Sequence, residues 1–351
     1  LSLAAPQMTP AALSTGERAL VSFVDKDNER GLTLLERIVN INSGTMNLAG
    51  VRKVGAALQP EFDALGFKTE WVDGSTFGRA GHLVADHPGQ GPRVLLVGHL
   101  DTVFEPDSPF QRFSRLSPTA AKGPGIIDMK GGNVVMIQAL RALHSTGALN
   151  SMNVVVVLTG DEEAAGRPLS GSRATLVKAA QGADVALGFE DGDGDPKTAV
   201  IGRRGTTNWK LTVKGKPAHS SQIFNAENGY GAVFEAARIL DAFREKLAGR
   251  PHLTFNPGVI VGGTSVEYND EASRGTAFGK SNVIAEHTVV TGDLRALTLE
   301  QFAETKASMQ EIVAASLSRT SATLTFDDGY PPLAPTPGNE RLLALYDRAS
   351  Q

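Results

Sequence analysis

Four apolar residues in a row, Val94-Leu95-Leu96-Val97, run directly into Gly98-His99-Leu100-Asp101, and this junction restricts the chain more than any other stretch. A short apolar run bounded by Gly89-Gln90-Gly91-Pro92 on one side and Gly98 on the other reads as a buried strand. His99 and Asp101 stand two residues apart, so in extended chain their side chains leave from the same face. An imidazole with a carboxylate beside it, at the mouth of a buried strand, is how many metal-binding histidines are held. A second Gly-flanked segment, Gly125-Ile126-Ile127-Asp128-Met129-Lys130-Gly131-Gly132, places Asp128 in a loop that leads into a helix.

What could complete such a site is narrowed by composition. The chain has no cysteine, which removes disulfides, thiol nucleophiles and sulfur ligands. Any metal must take imidazole and carboxylate, a donor set that suits zinc or another divalent first-row ion. The net charge of −4, with no Lys/Arg block, gives no electrostatic reason to expect nucleic acid. No apolar run approaches the roughly 20 residues that a membrane-spanning helix needs. At 351 residues, 41% apolar and 21% charged, the chain is expected to fold as two globular domains.

Periodicity then gives the order of elements. Helical spacing runs from Glu17 to Val39 and again through Val51, Val54, Leu58, Phe62 and Leu65, with Gly66 as a stop. Phe67–Val72 and His82–Ala85 read as strands, Val134–His144 as a helix, Val154–Leu158 as an apolar strand, Ser172–Ala180 as a helix and Asp184–Gly188 as a strand. Strands alternating with helices predict an α/β sheet covered on both faces. Past Gly205 the pattern changes to strand Thr207–Val213, helix Gly229–Leu247, strands Leu253–Val261 and Asn282–Asp293, a helix from Thr298 to about Arg319 and strand Ala322–Phe326. Thr298 with Gln301 reads as a capping box. The resulting βαββαβ order is a split-βαβ sandwich. The expected organisation is a catalytic domain, 1–205, to which 327–351 returns, with a second domain, 206–326, inserted into it.

Three further carboxylate positions join His99, each just past a predicted strand: Asp128, then Asp161-Glu162-Glu163, then Glu190 with Asp191. The C-terminal ends of strands in an α/β sheet share one edge, so residues distant in sequence converge there. Taken singly, each has a plain structural reading. A histidine after a strand is commonly a hydrogen-bonded core residue, and Asp-Glu-Glu is commonly a solvated loop. Their recurrence at successive strand ends favours a site. Other motifs fail on inspection. Asp191-Gly192-Asp193-Gly194-Asp195 resembles a calcium loop, but Pro196 takes the glycine position and Gly202 the final glutamate position. Gly275 to Ser281 is one residue short of a phosphate loop.

Gly98-His99-Leu100-Asp101-Thr102-Val103, the Gly125–Gly132 segment and Gly160-Asp161-Glu162-Glu163 together resemble the motifs of the dizinc exopeptidase and deacylase family. That family includes glutamate carboxypeptidase, acetylornithine deacetylase, succinyl-diaminopimelate desuccinylase and the aminoacylases. The motifs occur in the right order over nearly the whole chain. Phe189-Glu190 and Lys216-Pro217-Ala218-His219-Ser220 look most like the carboxypeptidase branch.

The resemblance implies a zinc-exopeptidase catalytic domain, a mixed sheet between helices, with an inserted βαββαβ ferredoxin-like lid and dimerisation domain. It implies two Zn2+ per subunit, Co2+ or Mn2+ being alternatives. Asp128 would bridge the two ions, His99 and Glu190 would complete one ion's protein ligands, and Glu163 would bind the other. Asp101 would orient His99, and Glu162 would act as general base, carrying a proton from the attacking water to the leaving amine. The Asp128–Met129 peptide would be cis. His219 would reach across a homodimer, formed through the lid, to the partner's substrate. Asn282 and Arg295 would hold the substrate carboxylate, for which an Arg fork is suited. For two of these three the plain readings are a turn cap for His219 and an end-of-strand ion pair for Arg295.

The implied activity is hydrolysis of a peptide or N-acyl amide bond beside a free carboxylate. The glutamate carboxypeptidase-like reading leads, and an N-acyl amino acid deacylase is the alternative. The rival of another class is a catalytically inactive dimeric binding protein on the same fold. One departure bears on that rival. The family's second metal takes a final histidine downstream of the lid, whereas the later histidines here, His252 and His287, lie inside it. This points to a fragment of a longer enzyme, or else to a short form unable to close the second metal site. At the other end, Leu1 to Gln7 reads either as the tail of a secretory signal, which would favour a periplasmic or secreted protein, or as a trimmed start.

Overall fold

The computed structural model describes residues 13–190, 192, 194, 198–270, 272–327 and 329–350. The first residues of the chain and the aspartates of the calcium-like loop (Asp191, Asp193 and Asp195) therefore lie outside the described residues. The chain divides into two compact units, 1–198 and 199–351.

The first unit contains α1 (Thr15–Val39), α2 (Leu48–Asp63), β1 (Lys68–Asp73), β2 (Gly81–His87), β3 (Gln90–His99), the short strands β4 (Ser114–Ser117) and β5 (Ala120–Lys122), α3 (Gly131–Ser145), β6 (Met152–Thr159), α4 (Leu169–Ser172), α5 (Ala174–Gln181) and β7 (Val185–Gly188). Ser14 caps α1 through a complete capping box with Glu17. Five strands form one sheet in the order β1-β2-β6-β3-β7. β3 is parallel to both neighbours, and β1 and β2 are antiparallel, so the sheet is mixed.

Alternation along the central strands divides two cores. Leu96, Val154, Val156 and Leu158 pack with Ile38, Val54, Leu58 and Ile137 of the three long helices. Leu95, Val155 and Val157 face the other way, against Leu176 and Ala179 of α5. A sheet covered on both faces needs unbroken apolar strands, which is what the sequence of β6 supplies. The predicted helix at Ser172 is broken at Arg173, where α4 ends and α5 begins.

The second unit contains β8 (Gly205–Lys214), α6 (Gly231–Leu247), β9 (Thr254–Gly263), β10 (Ser265–Asn269), β11 (Arg274–Phe278), β12 (His287–Ala296), α7 (Leu299–Ala314), β13 (Ser321–Phe326) and α8 (Pro337–Ser350). Its antiparallel sheet has the order β13-β8-β12-β9, the βαββαβ arrangement expected from the sequence. Trp209, Leu211 and Val213 of β8 pack with Phe243 of α6 and with Met309 and Val313 of α7.

Two boundaries in this unit depart by several residues from the sequence reading, and one cap differs in its partner. β12 starts at His287 rather than Asn282, because Asn282 and Val283 sit in a turn bridged to the His219 segment. α7 stops at Ala314 rather than near Arg319. Arg238 there donates to the Ile312 carbonyl and Glu235 accepts the Leu317 N–H, so two backbone groups at the helix exit are taken by side chains of α6. Gln301 accepts from the N–H of Leu297, one residue before the expected cap, while Thr298 still accepts from Gln301 N–H. The β10–β11 hairpin escaped prediction altogether, since its polar, Gly-containing sequence reads as loop.

Candidate active site

Because β3, β6 and β7 are parallel, their C-terminal ends open on one edge of the sheet. His99 is the last residue of β3 and pairs in register with Thr159 of β6, and Glu190 follows β7 by two residues. The turn from Gly125 brings Asp128 to the same edge, and Asp128–Met129 is a cis peptide. Behind that turn, Gly132 in the first turn of α3 comes so close to the β7 loop that an added Cβ would sit 1.9 Å from the Phe189 carbonyl oxygen. Only glycine permits that approach.

The geometry centres on the imidazole of His99, which is buried. Its Nε2 lies 2.8 Å from Asp128 Oδ1 and 3.1 Å from Glu190 Oε2. Its Nδ1 donates to the Asp101 carbonyl oxygen at 3.1 Å, with the Asp101 carboxylate at 3.4 Å. Burial alone would lower the pKa of this histidine, but the carboxylates of Asp101, Asp128 and Glu190 outweigh it and push it up to about 12. So much negative charge around one ring nitrogen marks a place for a cation.

His99, Asp128 and Glu163 each offer a ligand atom within 4.8 Å of the others. Imidazole nitrogen and carboxylate oxygen are both donors that zinc accepts. An imidazole nitrogen with carboxylate oxygens is also the donor set that the absence of cysteine requires. The residues present therefore fit a divalent metal.

Asp101 links the histidine loop to the acidic loop. It is fully buried. Its Oδ1 accepts the Glu162 N–H at 3.0 Å, and its Oδ2 accepts the Glu163 N–H at 3.1 Å and the Thr45 hydroxyl at 2.7 Å. Burial would raise its pKa, but hydrogen bonds from His99, Thr45 and Glu162 hold the carboxyl below the usual carboxylate range. Glu162 remains open to solvent. Desolvation first, and then the charges of Glu190, Asp101 and Asp128, raise its carboxyl. Glu163 is pushed up to about 7 by desolvation and by Asp128.

Several residues at this centre had no sequence signal. Asn133 Nδ2 donates to the His99 carbonyl at 2.6 Å, and Thr45 supports Asp101 from the other end of the unit. Lys130, in the same turn as Asp128, donates to the Ile38 and Ile41 carbonyls at 3.0 and 2.9 Å, and burial brings its ammonium down to about 7.

In the second unit, His219 and Asn282 are adjacent. His219 bridges Val283, and the Ser220 N–H donates to the Asn282 carbonyl at 2.9 Å. His219 Nδ1 accepts the Ser221 N–H at 3.2 Å, which leaves Nε2 as the protonated nitrogen of the neutral ring. Arg295 is not with them. It lies far along β12, its Nε bonded to Asp293 Oδ2 at 2.9 Å. About 26 Å of strand separates it from His287, where the Asn282 turn joins β12.

Comparison with known proteins bears on the family and the fold. A family model described as a peptidase dimerisation domain matches residues 201–321, and one described as peptidase family M28 matches residues 82–234. Carboxypeptidase G2 of Pseudomonas sp. (strain RS-16) is 30% identical over 207 residues, 59% of this chain and 49% of that protein. The chain thus spans about half the length of that relative. Succinyl-diaminopimelate desuccinylase of Delftia acidovorans is 30% identical over 329 residues, which cover 88% of this chain and 78% of the relative. Among solved structures, aminopeptidase PepT of Bacillus cereus shares the fold with a TM-score of 0.66 at 21% identity, over 86% of this chain and 77% of that one. The metallo-carboxypeptidase Sso-CP2 of Sulfolobus solfataricus does so with a TM-score of 0.57 at 16% identity, over 86% and 78%.

Proposed function

Since this chain belongs to the M20 metallopeptidase family, we propose that it is a metallohydrolase cleaving a peptide or N-acyl amide bond beside a free carboxylate. The observation that carries the reading is the convergence of Asp128 and Glu190 on His99 Nε2, with Glu162 and Glu163 hung side by side from Asp101. His99, Asp128, Glu163 and Glu190 would hold two Zn2+, or Co2+ or Mn2+ in their place, and such ions supply Lewis acidity toward the carbonyl and acidify the attacking water. Glu162 takes the proton from that water and delivers it to the leaving amine. Its raised carboxyl, still open to solvent, suits a group that must both accept and return a proton. Asp101 positions both loops.

We assign substrate contacts to His219, Asn282 and Arg295. His219 offers Nε2–H to a substrate carbonyl, and Arg295 and Asn282 offer donors to the carboxylate. The length of β12 between them argues that one protomer does not bring both to one carboxylate. A homodimer, in which one protomer gives His219 and Asn282 and its partner gives Arg295, accommodates all three. The domain scheme of a catalytic part, 1–205 with 327–351, and a lid, 206–326, belongs to the same proposal.

The glutamate-type carboxypeptidase reading leads, on Phe189-Glu190 and the Lys216–Ser220 segment. An N-acyl amino acid deacylase is the second reading, supported by the wider span of the desuccinylase alignment. The test is turnover by the zinc-loaded chain of a glutamate dipeptide and of an acetylated amino acid. Glu162→Gln is expected to keep its zinc and lose about 10²–10⁴-fold in kcat. Wild-type protein that binds zinc yet cleaves neither substrate, or a Glu162→Gln variant as active as wild type, would sink the proposal.

A further inference from the structure

Glu162 is joined to Asp161 by one peptide unit, and that unit is held at both of its polar atoms. Its oxygen, the Asp161 carbonyl, accepts from Arg173 Nη2 at 3.1 Å. Its N–H, that of Glu162, donates to Asp101 Oδ1 at 3.0 Å. A peptide is planar, so the soft motion available here is rotation of the whole plane about its flanking bonds. That rotation would break both hydrogen bonds at once and release the Glu162 backbone from Asp101.

The guanidinium is itself anchored. Arg173 Nη1 donates to Asp161 Oδ1 at 2.8 Å and to Ser172 Oγ at 2.6 Å. Asp161 Oδ2 accepts from Ser172 Oγ at 2.6 Å and from the Gly166 N–H at 2.9 Å. Asp161 is fully buried and the Arg173 side chain is only 15% exposed. On either side of this pair in the chain, the Gly160 N–H donates to His82 Nδ1, and Arg79 Nε donates to the Ala164 carbonyl at 2.7 Å. A buried ion pair is often no more stabilising than apolar residues of the same size. Its specific product here is the fixed orientation of the peptide that precedes Glu162.

We infer that Arg173 is a positioning residue of the active site, its planar fork clamping the Asp161–Glu162 peptide so that Glu162 and Glu163 are presented in fixed directions. The inference rests on the metallohydrolase reading for its consequence in catalysis, and on the hydrogen bonds alone for the clamp. Lysine would not substitute, because one ammonium on a flexible stem does not reproduce a rigid two-nitrogen contact to both the carboxylate and the peptide oxygen.

The test compares wild type with Arg173→Lys as full chains, by zinc content, by kcat and KM on whichever panel substrate the wild type cleaves, and by amide hydrogen exchange over residues 158–167. Arg173→Lys keeps the charge opposite Asp161 and is expected to retain its zinc, with KM changed by no more than about twofold. Its kcat is expected to fall about 10–100-fold, with faster exchange in that segment. Should the lysine variant fail to fold, Arg173→Met combined with Asp161→Asn removes the buried charges together, and the same loss of kcat is expected. Wild-type kcat in a folded variant overturns the inference, and so does a fall in kcat with unchanged exchange. If the wild type cleaves nothing, the proposed function fails, and the exchange comparison alone still decides the clamp.

Discussion

Asp101 shows at the scale of one residue how much of this centre is made by partners rather than by motifs. Its two oxygens take two successive backbone N–H groups and one hydroxyl, so the acidic loop is suspended from the histidine loop. His82 does comparable work behind that loop. Its Nε2–H donates to the Ser172 carbonyl at 2.9 Å, its Nδ1 accepts the Gly160 N–H, and its ring stacks on Phe77. Both nitrogens are satisfied only in the neutral ring. Burial, opposed in part by Asp161, holds its pKa below the ordinary histidine value. In the window below about 6.5 the unfolded chain therefore binds the proton more readily than the folded one. This contribution to stability is lost as pH falls, with a slope of at most about 1.4 kcal/mol per pH unit. Urea midpoints of wild type and His82→Gln between about pH 7 and pH 5 check it, and parallel slopes would refute it. The positions of the four proposed ligands stand out in the sequence because Asp128 lies in a Gly-flanked loop and the other three follow predicted strands, while their roles as ligands rest on the family resemblance. Thr45 and His82 were not, because their partners lie 56 and 78 residues away and no local pattern announces such a pairing.

At the scale of elements, the strands that declared themselves are those whose burial forces a pattern. β6 is apolar on both faces and its middle, Val154–Leu158, is legible in the sequence, and β8 alternates as a half-covered strand should. The β10–β11 hairpin buries little, so its composition left no mark. Within β12 the decisive residue is Gly292, at an irregularity in the pairing with β9. An added Cβ there would lie 1.9 Å from the Asn256 carbonyl and 2.5 Å from the Trp209 ring, which packs edge-on against Phe243 at 6.0 Å. Gly292→Ala is expected to cost about 1–3 kcal/mol and to alter Trp209 fluorescence. Gly188→Ala, where an added Cβ meets nothing within 4 Å, is the control and should stay within about 0.5 kcal/mol. Equal destabilisation by the two, measured by chemical denaturation, would remove the packing explanation.

For the whole molecule, each unit owns a separate core, and the proposed metal ligands all belong to the first. The two tryptophans, Trp71 and Trp209, are divided between the units, so single Trp→Phe variants report on each one. Zinc held in excess should raise the unfolding transition seen by Trp71 by about 2.7 kcal/mol at a hundred times Kd, while the transition seen by Trp209 moves less. Chelation should reverse the difference. Equal shifts at both reporters would show that the units unfold as one.

The place of β3 inside its sheet, between β6 and β7, has a consequence for descent as well as for chemistry. The strand is paired on both sides and apolar on both faces, so a slip of one residue would turn every side chain to the opposite face. His99 therefore holds a fixed address, and insertions or deletions upstream of it are paid for across the whole sheet. The segment from Phe104 to Gly123 takes no part in that sheet, its strands β4 and β5 pairing with each other, and so carries no register penalty of this kind. Related chains are expected to differ in length there, around a histidine that stays where it is.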